Sequence, residues 1–190
     1  MSAPTLLAVL GSATPPGRTH RALTAALERA DGDPFATELL DLGTVSIAPA
    51  GGALPGGVAD DTAAVVDRVD AADAVLLVTP VYRGSLSGIL KNLLDHVPVD
   101  ALRGTPVGIV AQGASDHHYL GADRHLRDLL TFFGSPTPPV SAYLNSTADF
   151  ADGQPSDDAV ARIVAVVDAL ALLHRVAGGA PFGPSPLAAR

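Results

Sequence analysis

Five short apolar runs alternate along the chain with stretches in which apolar positions recur every three or four residues. The runs are Leu6 to Leu10, Thr37 to Leu42, Ala74 to Thr79, Val107 to Gln112 and Val140 to Leu144. Those at 6–10, 74–79 and 107–112 are continuously apolar, as strands covered on both faces should be, whereas Glu38 and Asp41 put the second run nearer a sheet edge. Between the runs the period changes to about 3.6 residues. Leu23, Ala26, Leu27 and Ala30 mark a first helix, and Val65, Val66, Val69 and Ala72 a second. Leu86, Ile89, Leu90, Leu93, Leu94 and Val97 mark a third, and Ala122, Leu126, Leu129, Leu130 and Phe133 a fourth. Val160, Ile163, Val164, Val167 and Leu170 mark a fifth, with Ser156 or Asp157 as its N-cap.

Strands alternating with helices predict an α/β fold, a doubly wound five-stranded parallel sheet with helices on both faces. The chain of 190 residues supports one such core, over 1–176, while 177–190, with three prolines and three glycines, reads as a flexible or partner-contacting tail. A second Gly/Pro-rich stretch, Pro49 to Gly57, reads as a loop. Ligands of doubly wound sheets bind beyond the carboxyl ends of the strands, where the winding reverses, so the loops after the first, third and fourth strands are the places to look for chemistry.

The first loop runs Gly11-Ser12-Ala13-Thr14-Pro15-Pro16-Gly17-Arg18-Thr19. It leaves a buried strand and opens a helix, so backbone amides and the helix dipole can face an anion. Ser12, Thr14 and Thr19 add hydroxyls and Arg18 a guanidinium suited to phosphate oxygens. It is neither Gly-x-Gly-x-x-Gly nor Walker A, which points to a monophosphate; a surface turn with Thr19 as N-cap is the plainer alternative. The second loop, Thr79 to Gly88, leaves its strand through Pro80-Val81-Tyr82-Arg83 and offers either an apolar wall for a planar ring or a simple proline turn. In the third, Gln112-Gly113-Ala114, small residues would let a ring lie close to backbone amides. Asp116, His117 and His118 follow, but no further ligand stands at helical spacing from His118, and no metal site is expected.

Composition narrows the chemistry further. A net charge of -8 argues against nucleic acid as a partner without excluding a locally bound phosphate. The absence of cysteine removes thiolate nucleophiles, disulfides and Cys-ligated metals. No Gly-x-Ser-x-Gly elbow marks a hydrolase. Asp60-Asp61 and Asp157-Asp158 precede helices and suit their dipoles, and Lys91 and Asp95 are spaced for an intrahelical or interface ion pair. With no membrane-length apolar run and no leader-like start, a soluble cytoplasmic protein is expected.

Over residues 5–175 these loops, in this order, resemble the flavodoxin-like NAD(P)H-dependent FMN reductases, in particular the reductases of two-component sulfonate monooxygenase systems. Thr79-Pro80-Val81-Tyr82, then Ser87-Gly88-Ile89-Leu90-Lys91-Asn92-Leu93-Leu94-Asp95, is similar to the family's Pro-x-Tyr followed by Ser-Gly and Leu-Lys-x-x-Leu-Asp. Gly11-Ser12 with Arg18-Thr19 resembles its phosphate loop. The resemblance implies that Ser12, Arg18 and Thr19 hold the FMN phosphate, with Thr14 beside them. Pro80, Val81 and Tyr82 would line the ribityl chain and ring, and Gln112, Gly113 and Ala114 the pyrimidine edge. NADPH or NADH would pass hydride to the flavin, with no catalytic side chain required; Arg83 is a candidate contact for the coenzyme phosphates but alone does not define a 2′-phosphate pocket. The implied role is supply of reduced FMN to a partner monooxygenase, with a homodimer or homotetramer formed through the third helix. The alternatives are an FMN-retaining oxidoreductase acting on quinones, azo compounds or other small acceptors, and a flavodoxin-like electron carrier. Two features depart from the family. Gln112-Gly113-Ala114 stands where Gly-Gly is common, and Arg124 or His125 where some members that release FMN insert an aromatic.

Overall fold

The computed structural model describes residues 3–13, 16–32, 34–52, 59–177, 180 and 182–184. Thr14, most of the Pro49–Gly57 loop and most of the segment after Ala177 lie outside the described residues. Five parallel strands, β1 (Thr5–Leu10), β2 (Ala36–Asp41), β3 (Ala74–Pro80), β4 (Val107–Gly113) and β5 (Ala142–Asn145), form one sheet in the order β2-β1-β3-β4-β5. That is the doubly wound sheet the alternating pattern predicts, and its strand order is that of flavodoxin-like folds.

Side-chain alternation along β1 shows how the two faces are covered. Leu6, Ala8 and Leu10 point into a layer closed by α1 (Arg18–Ala30) and α5 (Asp157–Ala177). Leu7 and Val9 point into the opposite layer, closed by α2 (Thr62–Asp70), α3 (Gly88–Leu94) and α4 (Gly121–Phe133). Burying a Leu-sized side chain contributes about 1.5–3 kcal/mol, so these two layers supply the main stabilisation of the sheet that carries the site. Strand β4 passes so close under α5 that a Cβ on Gly108 would meet Val166 Cγ1 at 2.7 Å.

Helix ends follow from local hydrogen bonding. Ser156 caps α5, its hydroxyl accepting from the Ala159 amide at 3.1 Å, whereas Asp157 lies inside the helix. Ahead of α2, the Thr62 hydroxyl and amide hold the Asp60 carboxyl below the ordinary carboxylate range.

Several boundaries differ from those predicted. Strand β5 starts at Ala142, because Pro138 and Pro139 cannot donate ladder hydrogen bonds and leave Val140 in a bend, 77% exposed. Helix α3 stops at Leu94 and not at Val97: Val97 precedes Pro98, which disfavours helical backbone there, though its side chain still packs in the core. The edge strand β2 covers Ala36–Asp41 in register with Thr5–Leu10, one residue earlier than its apolar run. A small hairpin, β6 (Phe150–Ala151) and β7 (Gln154–Pro155), turns at Asp152-Gly153, both with positive φ. Among the described residues no helix is long and apolar enough to cross a membrane.

Candidate functional site

From β1 the chain winds outward to β2, and from β3 it winds the other way to β4, so a crevice opens between the carboxyl ends of β1 and β3. At its base, the Gly11 amide donates to the Val78 carbonyl at 2.7 Å, prolonging the β1–β3 ladder by one bond. The Gly11 carbonyl accepts from the buried Ser87 hydroxyl at 2.5 Å. Ser87 is the N-cap of α3, and its oxygen also accepts from the Leu90 amide at 3.3 Å. A Cβ on Gly11 would lie 2.7 Å from Leu90 Cβ, so only glycine permits this approach of loop to helix.

Beyond Gly11 the loop climbs to α1, whose N-cap is Gly17 with no side-chain capping bond and whose first turn holds no acidic residue. The N-cap is therefore not Thr19. The first intrahelical bond runs from Arg21 to Gly17, leaving the amides of Arg18, Thr19 and His20 ahead of the helical ladder. Ser12, Pro16, Gly17, Arg18, Thr19 and His20 line a cavity of about 100 Å³, closed across the crevice by Leu10, Pro80, Tyr82 and Gln112. Hydroxyl, guanidinium and helix-terminal amides facing one small space, with no carboxylate in its wall among the described residues, are a donor set for one compact anion.

Thr19 is buried, and its hydroxyl donates to the Gln112 side-chain oxygen. The Gln112 amide in turn donates to Ser146 Oγ, which donates to the Gly113 carbonyl at 2.9 Å. This chain of bonds ties the start of α1 to the ends of β4 and β5. It engages the Thr19 hydroxyl in positioning Gln112 and leaves the Thr19 amide for the cavity.

The loop after β3 is a tight turn. Val81 donates to the Gln112 carbonyl at 2.8 Å, and Tyr82 and Ser85 exchange both backbone bonds, at 2.9 and 3.0 Å. The two central residues, Arg83 (φ 53°) and Gly84 (φ 75°), both have positive φ, the signature of a type I′ turn. Two contacts clasp the turn to α4: Ser85 Oγ lies 2.7 Å from His125 Nδ1, and a Cβ on Gly121 would fall 2.7 Å from the Gly84 carbonyl oxygen. Val81, Tyr82, Arg83, Gly84, Ala114 and His118 line a second cavity of about 630 Å³. Tyr82, half exposed, borders both cavities.

The third loop is shaped by Tyr143. Its hydroxyl donates to the Ser115 carbonyl at 2.5 Å, and a Cβ on Gly113 would fall 2.1 Å from that hydroxyl. Burial, reinforced by the Asp116 and Asp149 carboxylates, pushes the Tyr143 phenol above its ordinary value, so it remains a donor at neutral pH. Asp116 Oδ1 accepts from Asn145 Nδ2 at 2.8 Å, anchoring the 3-10 turn of residues 116–118 to β5.

Of the residues singled out from sequence, Ser12, Arg18, Thr19, Pro80, Tyr82 and Gln112 share the first cavity, and Val81, Tyr82, Arg83 and Ala114 the second. Gly113 lies behind them at the strand end, and Thr14 is outside the described residues. His20 and His118 are additional lining residues. His20 could have been found as the third residue of the first α1 turn, where it stands two places after Arg18. Lys91 and Asp95 form an ion pair along α3 at 2.5 Å, away from both cavities.

The donor set of the first cavity fits a phosphate monoester, and the second cavity, bordered by the same Tyr82 and by Val81 and Ala114, fits a planar ring with polar edges. Comparison with known proteins agrees. The family model described as NADPH-dependent FMN reductase matches residues 4–149. A relative from Pseudomonas aeruginosa named FMN reductase (NADPH) is 38% identical over 148 residues, covering 76% of this chain and 78% of the relative. One from Pseudomonas fluorescens named NADH-dependent FMN reductase SfnF is 36% identical over 151 residues, covering 78% and 80%. Among solved structures, the apo form of an NADH:FMN oxidoreductase (EMOB) superposes with a TM-score of 0.68 at 25% identity, covering 90% of this chain and 89% of that one.

Proposed function

The chain belongs to the NADPH-dependent FMN reductase family, and from that premise we propose that it supplies reduced FMN to a partner monooxygenase. It is an oxidoreductase that uses a nicotinamide nucleotide and FMN. FMN, when bound, supplies the acceptor for the coenzyme's hydride, and the protein's part is binding and orientation. Ser12, Arg18 and the first-turn amides of α1 would hold the phosphate, and Pro80 and Tyr82 would flank the chain leading from it. Gln112, fixed between Thr19 and Ser146, would present its amide at the same wall. Val81, Tyr82 and Ala114 would border the ring.

The observation that carries this reading is that a small donor-lined cavity and a wider one both border Tyr82. The wider cavity, of about 630 Å³, leaves room for a second planar ring to approach. The partner assignment draws support from the SfnF-named relative. Steady-state turnover tests it: NAD(P)H oxidation should saturate with free FMN as a substrate. A tightly retained flavin with ping-pong kinetics towards a quinone or azo acceptor would replace this role with that of a flavoenzyme.

Self-association belongs to the same proposal. Leu86 and Gly88 on one side and Leu129 and Phe132 on the other border a groove of about 590 Å³ between α3 and α4, and Phe132 is half exposed there. Sedimentation at micromolar protein is expected to show a dimer or tetramer, and Phe132→Glu to shift it towards the monomer. A wild-type monomer under those conditions would remove the association.

A further inference from the structure

His20 stands in the first turn of α1, half-buried, and lines the anion cavity together with Arg18. Among the described residues its imidazole has no hydrogen-bond or ion-pair partner. Other histidines are engaged within the protein: His96 meets the Ala48 carbonyl at 2.8 Å, His125 meets Ser85 at 2.7 Å, and His174 packs edge-on against Phe35. Between Arg18 and His20, the Thr19 hydroxyl is taken by Gln112. The side chains with which this turn faces an anion are therefore one guanidinium and one imidazole, in the wall of a single cavity.

The groups around the imidazole leave its charge to be decided by what enters that cavity. Arg18 from the same turn and Tyr82 from the turn after β3 are the other titratable or charged side chains in the wall, where the β1 loop and β4 contribute the neutral Ser12 and Gln112. Arg21, the next residue of α1, turns to the β6–β7 hairpin, its Nε donating to the Gly153 carbonyl at 2.6 Å. The hairpin's carboxylate, Asp152, is exposed and does not line the cavity. Asp41, level with Leu10 at the end of neighbouring β2, accepts from the Gly43 amide at 2.9 Å. No carboxylate among the described residues of the wall compensates a proton on His20. A dianion in the cavity would.

We propose that His20 is a second cationic ligand of the FMN phosphate, and that FMN binding takes up a proton from solvent onto its imidazole. The proposal rests on the reading of this cavity as the FMN phosphate site. Histidine is the side chain whose ordinary charge change falls near neutral pH, and a phosphate monoester there carries up to two negative charges. Bound phosphate favours the imidazolium, which donates to a phosphate oxygen beside the Arg18 guanidinium. Because the complex favours the protonated ring, FMN is held most tightly below neutrality and more loosely as pH rises. The cradle thereby links flavin retention to pH.

The test is calorimetric titration of FMN into the full-length protein at about pH 7.5, in Tris and in Hepes, whose different ionisation heats reveal protons exchanged on binding. At about pH 7.5 the monoester is already mostly dianionic and an ordinary imidazole mostly neutral, so an uptake of about half a proton or more is expected. His20→Gln keeps a donor without a titration and should abolish the uptake, as should riboflavin, which lacks the phosphate. Wild-type FMN affinity should fall about tenfold between about pH 6.5 and about pH 8.5, while that of His20→Gln stays nearly level. Tight FMN binding by the wild-type chain without proton uptake would overturn the role of His20 and leave the FMN site standing. An uptake retained by His20→Gln, or equally large with riboflavin, would overturn it too. Absence of FMN binding, followed by flavin fluorescence in the same samples, would overturn both readings.

Discussion

Replacing Arg18 with alanine is expected to weaken FMN binding by about 10- to 100-fold, the range for losing charge-assisted hydrogen bonds to a phosphate. Arg18 is the side-chain cation in the cradle formed by Ser12, the first-turn amides of α1 and its own guanidinium. Its exposure means that salt screens it, so the loss should be largest at low ionic strength. Ser12→Ala removes one neutral donor and should cost less, about tenfold or below. Arg18 has no ion-pair partner among the described residues, so folding stability should change by no more than about 0.5 kcal/mol. Quenching of flavin fluorescence gives the affinities and thermal melts give the stability. Unchanged affinity in both variants would remove the phosphate from this loop.

Gly11→Ala is expected to damage both fold and site. Its new methyl would stand 2.7 Å from Leu90 Cβ and 3.1 Å from Ser87 Oγ. Leu90 Cβ is attached directly to the α3 backbone and has no rotamer by which to withdraw. Relief requires the β1 loop and α3 to part, and overpacking of this kind costs about 1–3 kcal/mol. Parting them also strains the 2.5 Å bond from Ser87 to the Gly11 carbonyl, and a buried carbonyl left without a partner costs about 1–3 kcal/mol more. For a domain of this size each kcal/mol lowers Tm by about 2–4 °C. FMN affinity should fall with it, because Ser12 follows directly. A Gly11→Ala protein with wild-type Tm and wild-type flavin affinity would show that the close approach of loop and helix does not matter.

The sheet and the three converging loops are legible in the chain because each depends on patterns longer than one residue. β1, β3 and β4 are covered on both faces, so their apolar runs are continuous, and parallel winding then brings the loops after them to one edge. Ser12, Arg18, Pro80, Tyr82 and Gln112 follow from that topology together with donor chemistry. Two of the boundaries that moved lie where one local feature overrides the pattern: the Pro138-Pro139 pair before β5 and Pro98 after α3. The β6–β7 hairpin carries a readable signal in Asp152-Gly153, but its strands are too short to alternate.

Within the site, what remained hidden is side-chain bonding across long separations. The Thr19 hydroxyl is an obvious phosphate donor until Gln112, 93 residues away, is found to accept it. The clasp of Ser85 on His125 spans 40 residues and ties the turn after β3 to α4; no periodicity or spacing encodes it. Arg83 disguises the turn itself, since arginine is an unusual occupant of a left-handed position.

The central claim is that the cradle at the start of α1 binds the phosphate of FMN, and comparison of FMN with riboflavin tests it most directly, because the two differ only in that phosphate. In parallel fluorescence titrations of the wild-type protein, FMN is expected to bind about 100-fold or more tightly than riboflavin. Arg18→Ala should close most of the gap by weakening FMN alone. Equal affinities for FMN and riboflavin in the wild-type protein would contradict the account.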